Sequence, residues 1–190
     1  MADYIRILSL HKEGGMFLDL DVLTLKPYDG PQFRNFVTFG SAQMRMIANA
    51  VVHMDRGHRL TDRIIQLLAD EYDPEGYTFN GPEAISAAMS LMCNVTLGRP
   101  KSNMCTDVRL LPHRYFHPIG NAFGRIFFQR MDKDRLAPMF LKQLDNSYGV
   151  HFYSSLTRHQ SVDFAPNSTQ MFSILASRHC PQTLQQLARH

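Results

Sequence analysis

The stretch Gly14-Gly15-Met16-Phe17-Leu18-Asp19-Leu20-Asp21 decides how the chain is read. Met16, Phe17 and Leu18 form an unbroken apolar run, the pattern of a strand buried on both faces, and Asp19 and Asp21 fall where that strand should emerge. Residues i and i+2 of an extended segment project to the same side, so both carboxylates can reach one cation. Hard carboxylate oxygens suit Mn²⁺ or Mg²⁺, ions that keep open positions for phosphate oxygens. Two aspartates at this spacing also suit a solvated turn after a strand, and the pair alone leaves both readings open.

Upstream of the pair, Tyr4, Ile7 and Leu8 recur at helical spacing and Gly14-Gly15 supply a stop, so residues 3–12 are expected to form a helix. Asp3 and Arg6 then lie one turn apart on one face, placed for a surface ion pair or for a ligand. Downstream, residues 47–52 read as a strand carrying Asn49, a residue suited equally to a structural hydrogen bond. Leu60, Ile64, Leu67 and Leu68 mark an amphipathic helix. After a turn-rich loop, Asn80-Gly81-Pro82 should open a helix at Pro82, with Ile85, Met89 and Met92 facing inward. Residues 108–111 read as extended, 135–144 and 168–178 as helical with Ser168 as cap, and 148–153 as a short strand carrying His151. The alternation of helical and extended patterns, without repeats, predicts an α/β domain.

The 190 residues, 44% of them apolar, are enough for the core of one compact domain covering the whole chain, 1–190. A formal charge of +3, with Lys and Arg scattered, gives no basis for nucleic-acid binding. No apolar run approaches the roughly 20 residues of a membrane span, and residues 1–12 lack the pattern of a signal peptide. Three cysteines at these spacings exclude a zinc knuckle. Cys93 and Cys105 can close a short loop, which leaves Cys180 free or paired elsewhere. The sequons Asn94-Val95-Thr96 and Asn167-Ser168-Thr169 point to the secretory pathway, whose oxidising lumen suits that link.

The acidic pair also sits inside a longer pattern: Asp3-Tyr4-Ile5-Arg6, the double glycine with Met16 to Asp21, Asn80-Gly81-Pro82, Leu111-Pro112 with Phe116-His117-Pro118-Ile119, Tyr148-Gly149-Val150-His151, and Cys180-Pro181. This succession resembles the α-1,4-glycosyltransferase family of glycolipid synthesis, with its DxD sugar-binding region over residues 1–75 and its C-terminal conserved region over 76–190. The resemblance implies a GT-A-like nucleotide-diphospho-sugar transferase fold. It implies a retaining enzyme that moves a hexose or N-acetylhexosamine from a UDP-sugar, with Mn²⁺ or Mg²⁺, to a galactose-terminated or related glycolipid in α-1,4 linkage in the Golgi lumen.

Carried over residue by residue, the resemblance makes Asp19 and Asp21 the catalytic metal and diphosphate pair and His151 a third metal ligand. Asp3, Arg6, Gly14, Gly15, Asn49, Asn80 and Gly81 fall at positions that bind or border the donor. Each has an ordinary alternative: Gly14 and Gly15 as a helix C-cap, Asn80-Gly81-Pro82 as a helix start, His151 as a packed histidine. The family commonly has Trp two positions after this histidine, where this chain has Tyr153. The other histidines are read as packed or solvent-facing residues and the methionines as core filler.

Family members also carry a membrane anchor, a stem and the first nucleotide-binding strands ahead of the Asp3 position. The expectation is therefore a fold incomplete at its N-terminus, truncated and poorly active alone, whose full-length form is membrane-anchored. Two other classes share part of the pattern. Phe17 to Asp21 also resembles the nucleophile strand of a haloacid dehalogenase-type phosphohydrolase, but Leu23 stands where that family wants Thr or Val. The other is a non-catalytic remnant of the transferase fold.

Overall fold

The computed structural model describes residues 2–71, 79–93, 102–165 and 167–187. In chain order the elements are α1 (Ala2–Glu13), β1 (Gly15–Leu18), β2 (Val22–Thr24), β3 (Phe36–Phe39), β4 (Ile47–Met54), α2 (Arg59–Glu71) and α3 (Ala84–Cys93). They continue with β5 (Met104–Cys105), β6 (Val108–Leu111), α4 (Leu136–Gln143), β7 (Gly149–His151), α5 (Ser154–Thr157), α6 (Met171–His179) and α7 (Pro181–Leu187). The fold is mixed α/β and groups into two compact units, one of Met1–Leu20 with Tyr28–His113, the other of Asp21–Pro27 with Arg114–His190.

In the first unit a five-stranded sheet has the order β1-β4-β3-β6-β5. β4 runs antiparallel to both β1 and β3, β3 runs parallel to β6, and β5 closes antiparallel on β6. Ile7 and Leu10 of α1, Leu60, Ile64 and Leu68 of α2, and Ile85 and Met89 of α3 join Val37, Ile47, Val52 and Met54 in one buried core. The period of these apolar residues is what turns each helix toward the sheet. Gly14 ends α1 at φ +70°, its N–H bonding the Leu10 carbonyl at 2.9 Å. A Cβ there would stand 2.6 Å from the Arg56 backbone nitrogen, so glycine is required both by conformation and by space.

Two local expectations change here. β1 is not buried on both faces: among the described residues it is an edge strand, paired with β4 alone from Gly15↔Met54 to Leu18↔Val51, and its residues range from half-buried to exposed. Its apolar character is explained instead by what covers it, since the Arg6 guanidinium lies 4.6 Å from the Phe17 ring centre. Pro82 does not begin α3 but lies inside a wide π-type turn, Phe79–Glu83. Ser86 Oγ holds that turn, donating to the Pro82 carbonyl at 2.6 Å and accepting the Ile47 N–H at 2.9 Å. Cys93, the last residue of α3, is joined by a disulfide to Cys105 of β5, their Cα atoms 5.6 Å apart.

In the second unit β2 pairs antiparallel with β7, from Val22↔His151 to Thr24↔Gly149. The Leu25 N–H extends this ladder to the Tyr148 carbonyl at 2.8 Å. Behind it, Phe127, Phe140, Val150, Phe152, Met171 and Leu175 form a second buried core, with the Phe127 and Phe152 rings edge to face at 5.0 Å. The helix expected over 168–178 starts at Met171 and is not capped by Ser168, whose Oγ accepts the Gln170 N–H at 3.2 Å. Gln170, 5% exposed, keeps its own backbone extended because its amide is committed elsewhere. Nε2 donates to the Phe128 and Ser161 carbonyls, and Oε1 accepts the Asp163 N–H.

Candidate functional site

Within the first unit, the face that α1 turns toward β1 and β4 gathers five of the residues singled out from sequence. Arg6, 5% exposed, donates through one terminal nitrogen to Asp3 Oδ1 at 2.6 Å and through the other to Asp19 Oδ1 at 2.5 Å. Asn49 of β4 donates from Nδ2 to the same Asp3 oxygen at 2.6 Å. Asp19 is placed by the sheet itself, its N–H bonding the Ala50 carbonyl at 2.8 Å just beyond the end of β1. Gly81, on the wide turn held by Ser86, completes the group. A Cβ on Gly81 would overlap Asn49 Nδ2 and stand 2.9 Å from Asp3 Oδ1, so a larger residue there displaces those two side chains. Asn80 is buried beside it, and Gly14 and Gly15 form the α1 to β1 turn.

Within the second unit, the β2–β7 register sets Asp21 and His151 side by side. Val22 stands opposite His151, so Asp21, one residue earlier, accepts the Phe152 N–H on its carbonyl at 2.9 Å. Its carboxylate then takes the Ser154 N–H at 2.7 Å and lies 3.1 Å from His151 Nε2. Burial raises the Asp21 pKa, but the bonds from His151 and Ser154 outweigh it and hold the carboxyl well below the usual carboxylate range. Asp21 is therefore an anion at neutral pH. His151 Nδ1 is buried and has no hydrogen-bond partner among the described residues.

Around this pair lie two aromatic neighbours. Tyr153 has a left-handed backbone, φ +54°, which swings its ring to 4.3 Å from that of His151 while its hydroxyl donates to the Ile119 carbonyl at 2.8 Å. Burial first, and the Asp21 charge second, push its phenol far above the ordinary value, so the hydroxyl keeps its proton at neutral pH. His117, 2% exposed, meets the His151 ring edge-on at 5.5 Å. Sequence alone assigns His117 to packing and does not reveal this neighbour. The only signal that could raise it is its place in Phe116-His117-Pro118-Ile119.

Chemically, the first unit offers two carboxylates bridged by one guanidinium, and the second offers a carboxylate and an imidazole in contact. Carboxylate and imidazole donors fit Mn²⁺. Of the modification sites read from sequence, Asn167 is exposed and Asn94 lies outside the described residues. Cys180 is a half-buried free thiol.

Residues 53–187 match the family model described as the alpha 1,4-glycosyltransferase conserved region. Lactosylceramide 4-alpha-galactosyltransferase from Homo sapiens is 25% identical over 184 residues, covering 96% of this chain and 49% of the relative. The same enzyme from Gorilla gorilla gorilla is 25% identical, covering 96% and 53%. Alpha-1,4-N-acetylglucosaminyltransferase from Homo sapiens is 20% identical over 189 residues, covering 99% and 52%. The chain thus spans about half the length of the curated relatives it matches. No solved structure matches it.

Proposed function

The chain belongs to the α-1,4-glycosyltransferase family, and on that premise we propose that it carries the metal and donor-sugar residues of a retaining transferase using a UDP-sugar. The observation that carries this reading is the co-occurrence of the family match with the Asp3, Arg6, Asp19, Asn49 and Gly81 cluster and the Asp21–His151 contact. Asp19, Asp21 and His151 would hold Mn²⁺, which supplies charge stabilisation to a leaving diphosphate. The anionic state of Asp21, enforced by its neighbours, and the His151 Nε2 that faces its carboxylate both suit that assignment. Gly81 and Asn49 would bring an amide and bare backbone close to a sugar hydroxyl, and Asn80, Gly14 and Gly15 would border the same donor.

Retention needs no protein base. The acceptor hydroxyl would attack the anomeric carbon on the face the diphosphate leaves, and its proton would pass to the departing diphosphate oxygen, giving an α-1,4 linkage. The mixed sheet and its helices are compatible with a GT-A-type fold. By the names of the relatives, the acceptor would be lactosylceramide or a related galactose-terminated glycolipid, and the donor sugar galactose or an N-acetylhexosamine. The Cys93–Cys105 disulfide and the exposed Asn167 sequon support work in the secretory pathway, in the Golgi lumen. The family match speaks against the phosphohydrolase alternative. The test is transfer from radiolabelled UDP-galactose, UDP-N-acetylgalactosamine and UDP-N-acetylglucosamine to lactosylceramide with Mn²⁺. Product that survives Asp19→Ala would refute the assignment.

A further inference from the structure

We propose that Arg6 is a resident counter-ion of Asp19 that competes with the divalent cation for that carboxylate, keeping the free protein in a low-affinity state toward metal alone. The inference rests on the reading of Asp19 as a metal ligand. Its basis is geometric: the Arg6 guanidinium already occupies Asp19 Oδ1 at 2.5 Å, with its side chain only 6% exposed. A cation arriving at that oxygen meets a positive charge already bonded there.

The surroundings decide how firmly Arg6 is held. Asp3 takes its other terminal nitrogen at 2.6 Å, and Asn49 fixes Asp3 in turn at 2.6 Å. Asp3 therefore shares the guanidinium with Asp19 and keeps it from being spent wholly on Asp19. Two carboxylates share the one guanidinium. Arg6 Nε is buried with no hydrogen-bond partner among the described residues, so the five-donor fork is incompletely used in this state. The unused Nε–H is a donor that an incoming anionic group can take, in competition with the two carboxylates. Phe17, whose ring centre lies 4.6 Å from it, covers the guanidinium on one side.

The competition makes two predictions of opposite sign, which loss of structure alone does not produce. Arg6→Gln should bind Mn²⁺ about tenfold more tightly than wild type in the absence of nucleotide, because one repelling charge is gone from a partly buried site. Asp3→Asn should bind Mn²⁺ several-fold more weakly, because Arg6 then belongs to Asp19 alone. The measurement is calorimetric titration with Mn²⁺ alone, on variants whose circular dichroism matches wild type. Arg6→Lys, which keeps the charge and loses the fork, should fall between wild type and Arg6→Gln and serves if Arg6→Gln does not fold. Unchanged or weaker Mn²⁺ binding in both Arg6 variants overturns the proposal while Asp19→Asn still loses Mn²⁺. If Asp19→Asn binds Mn²⁺ like wild type, the metal assignment of Asp19 falls, and the proposal with it.

Discussion

His151 Nε2 stands 3.1 Å from Asp21 Oδ1 because a three-residue ladder puts His151 opposite Val22. Neither partner is brought there by a long element. The contact depends on the β2–β7 register, in which a slip of one residue would turn His151 to the other face. His151→Ala should lower Mn²⁺-dependent UDP affinity about 10- to 100-fold with little effect on the melting temperature, as read by fluorescence titration and thermal denaturation. A large fall in melting temperature without a change in affinity would assign the histidine to packing instead.

A Cβ on Gly81 would press on the side-chain ends of Asn49 and Asp3. Gly81→Ala should force Asn49 off Asp3, destabilise the protein by about 1–3 kcal/mol and raise the UDP-sugar KM. Thermal melts and initial-rate kinetics read the two effects separately.

Gln170 serves three backbone groups at once, the Phe128 and Ser161 carbonyls and the Asp163 N–H. Gln170→Leu keeps the volume and strands all three. The expected loss is about 2–4 kcal/mol in urea denaturation, against under about 1 kcal/mol for a typical exposed substitution.

Asp107 links the start of α2 to the turn between β5 and β6. It takes His58 Nε2 at 3.1 Å and an Arg59 nitrogen at 3.2 Å, while His58 Nδ1 accepts the Leu60 N–H at 3.0 Å. Burial raises the Asp107 pKa, but the Thr106 hydroxyl, its own backbone, Arg59 and His58 together lower it from 3.8 to about 2. A pKa depressed by folding adds stability above the unfolded value, and that share is lost as pH falls from about 4 through about 2. Because the carboxylate is more than half exposed, its worth is about 1 kcal/mol after solvent screening. Asp107→Asn should therefore melt lower at pH 7 and show a flatter acid limb in a pH series of thermal melts.

Legibility in the sequence differs by element. α1 and α2 announce themselves, because Tyr4, Ile7 and Leu8, and Leu60, Ile64, Leu67 and Leu68, recur at the helical period; Ile7, Leu60, Ile64 and Leu68 enter the core, whereas Leu8 is exposed and Leu10, which that pattern omits, is buried. Asp3, Arg6, Asn49, Gly81 and Asp19 each stand out in the sequence, and the fold brings them together around Arg6 and Asp3. β1 misleads because an apolar run looks the same whether a second strand or a guanidinium covers it. β2 is only three residues long, Val22 to Thr24, too short for any period to show. The start of α6 is hidden because Ser168 suits a helix cap, whereas the tertiary partners of Gln170 decide where the helix begins. The Asp21–His151 contact rests on pairing between segments more than 120 residues apart, which spacing along one chain does not encode.

The Cys93–Cys105 bridge fastens the end of α3 to the strand that precedes the Asp107 turn. α3 follows directly on the turn that carries Gly81, so the redox state of two sulfurs some distance along the chain bears on how well that glycine is presented. For anyone producing the protein, the compartment of synthesis becomes an experimental variable. Material made in a reducing bacterial cytosol and material made in a periplasm should differ in protease sensitivity at the C-terminal end of α3.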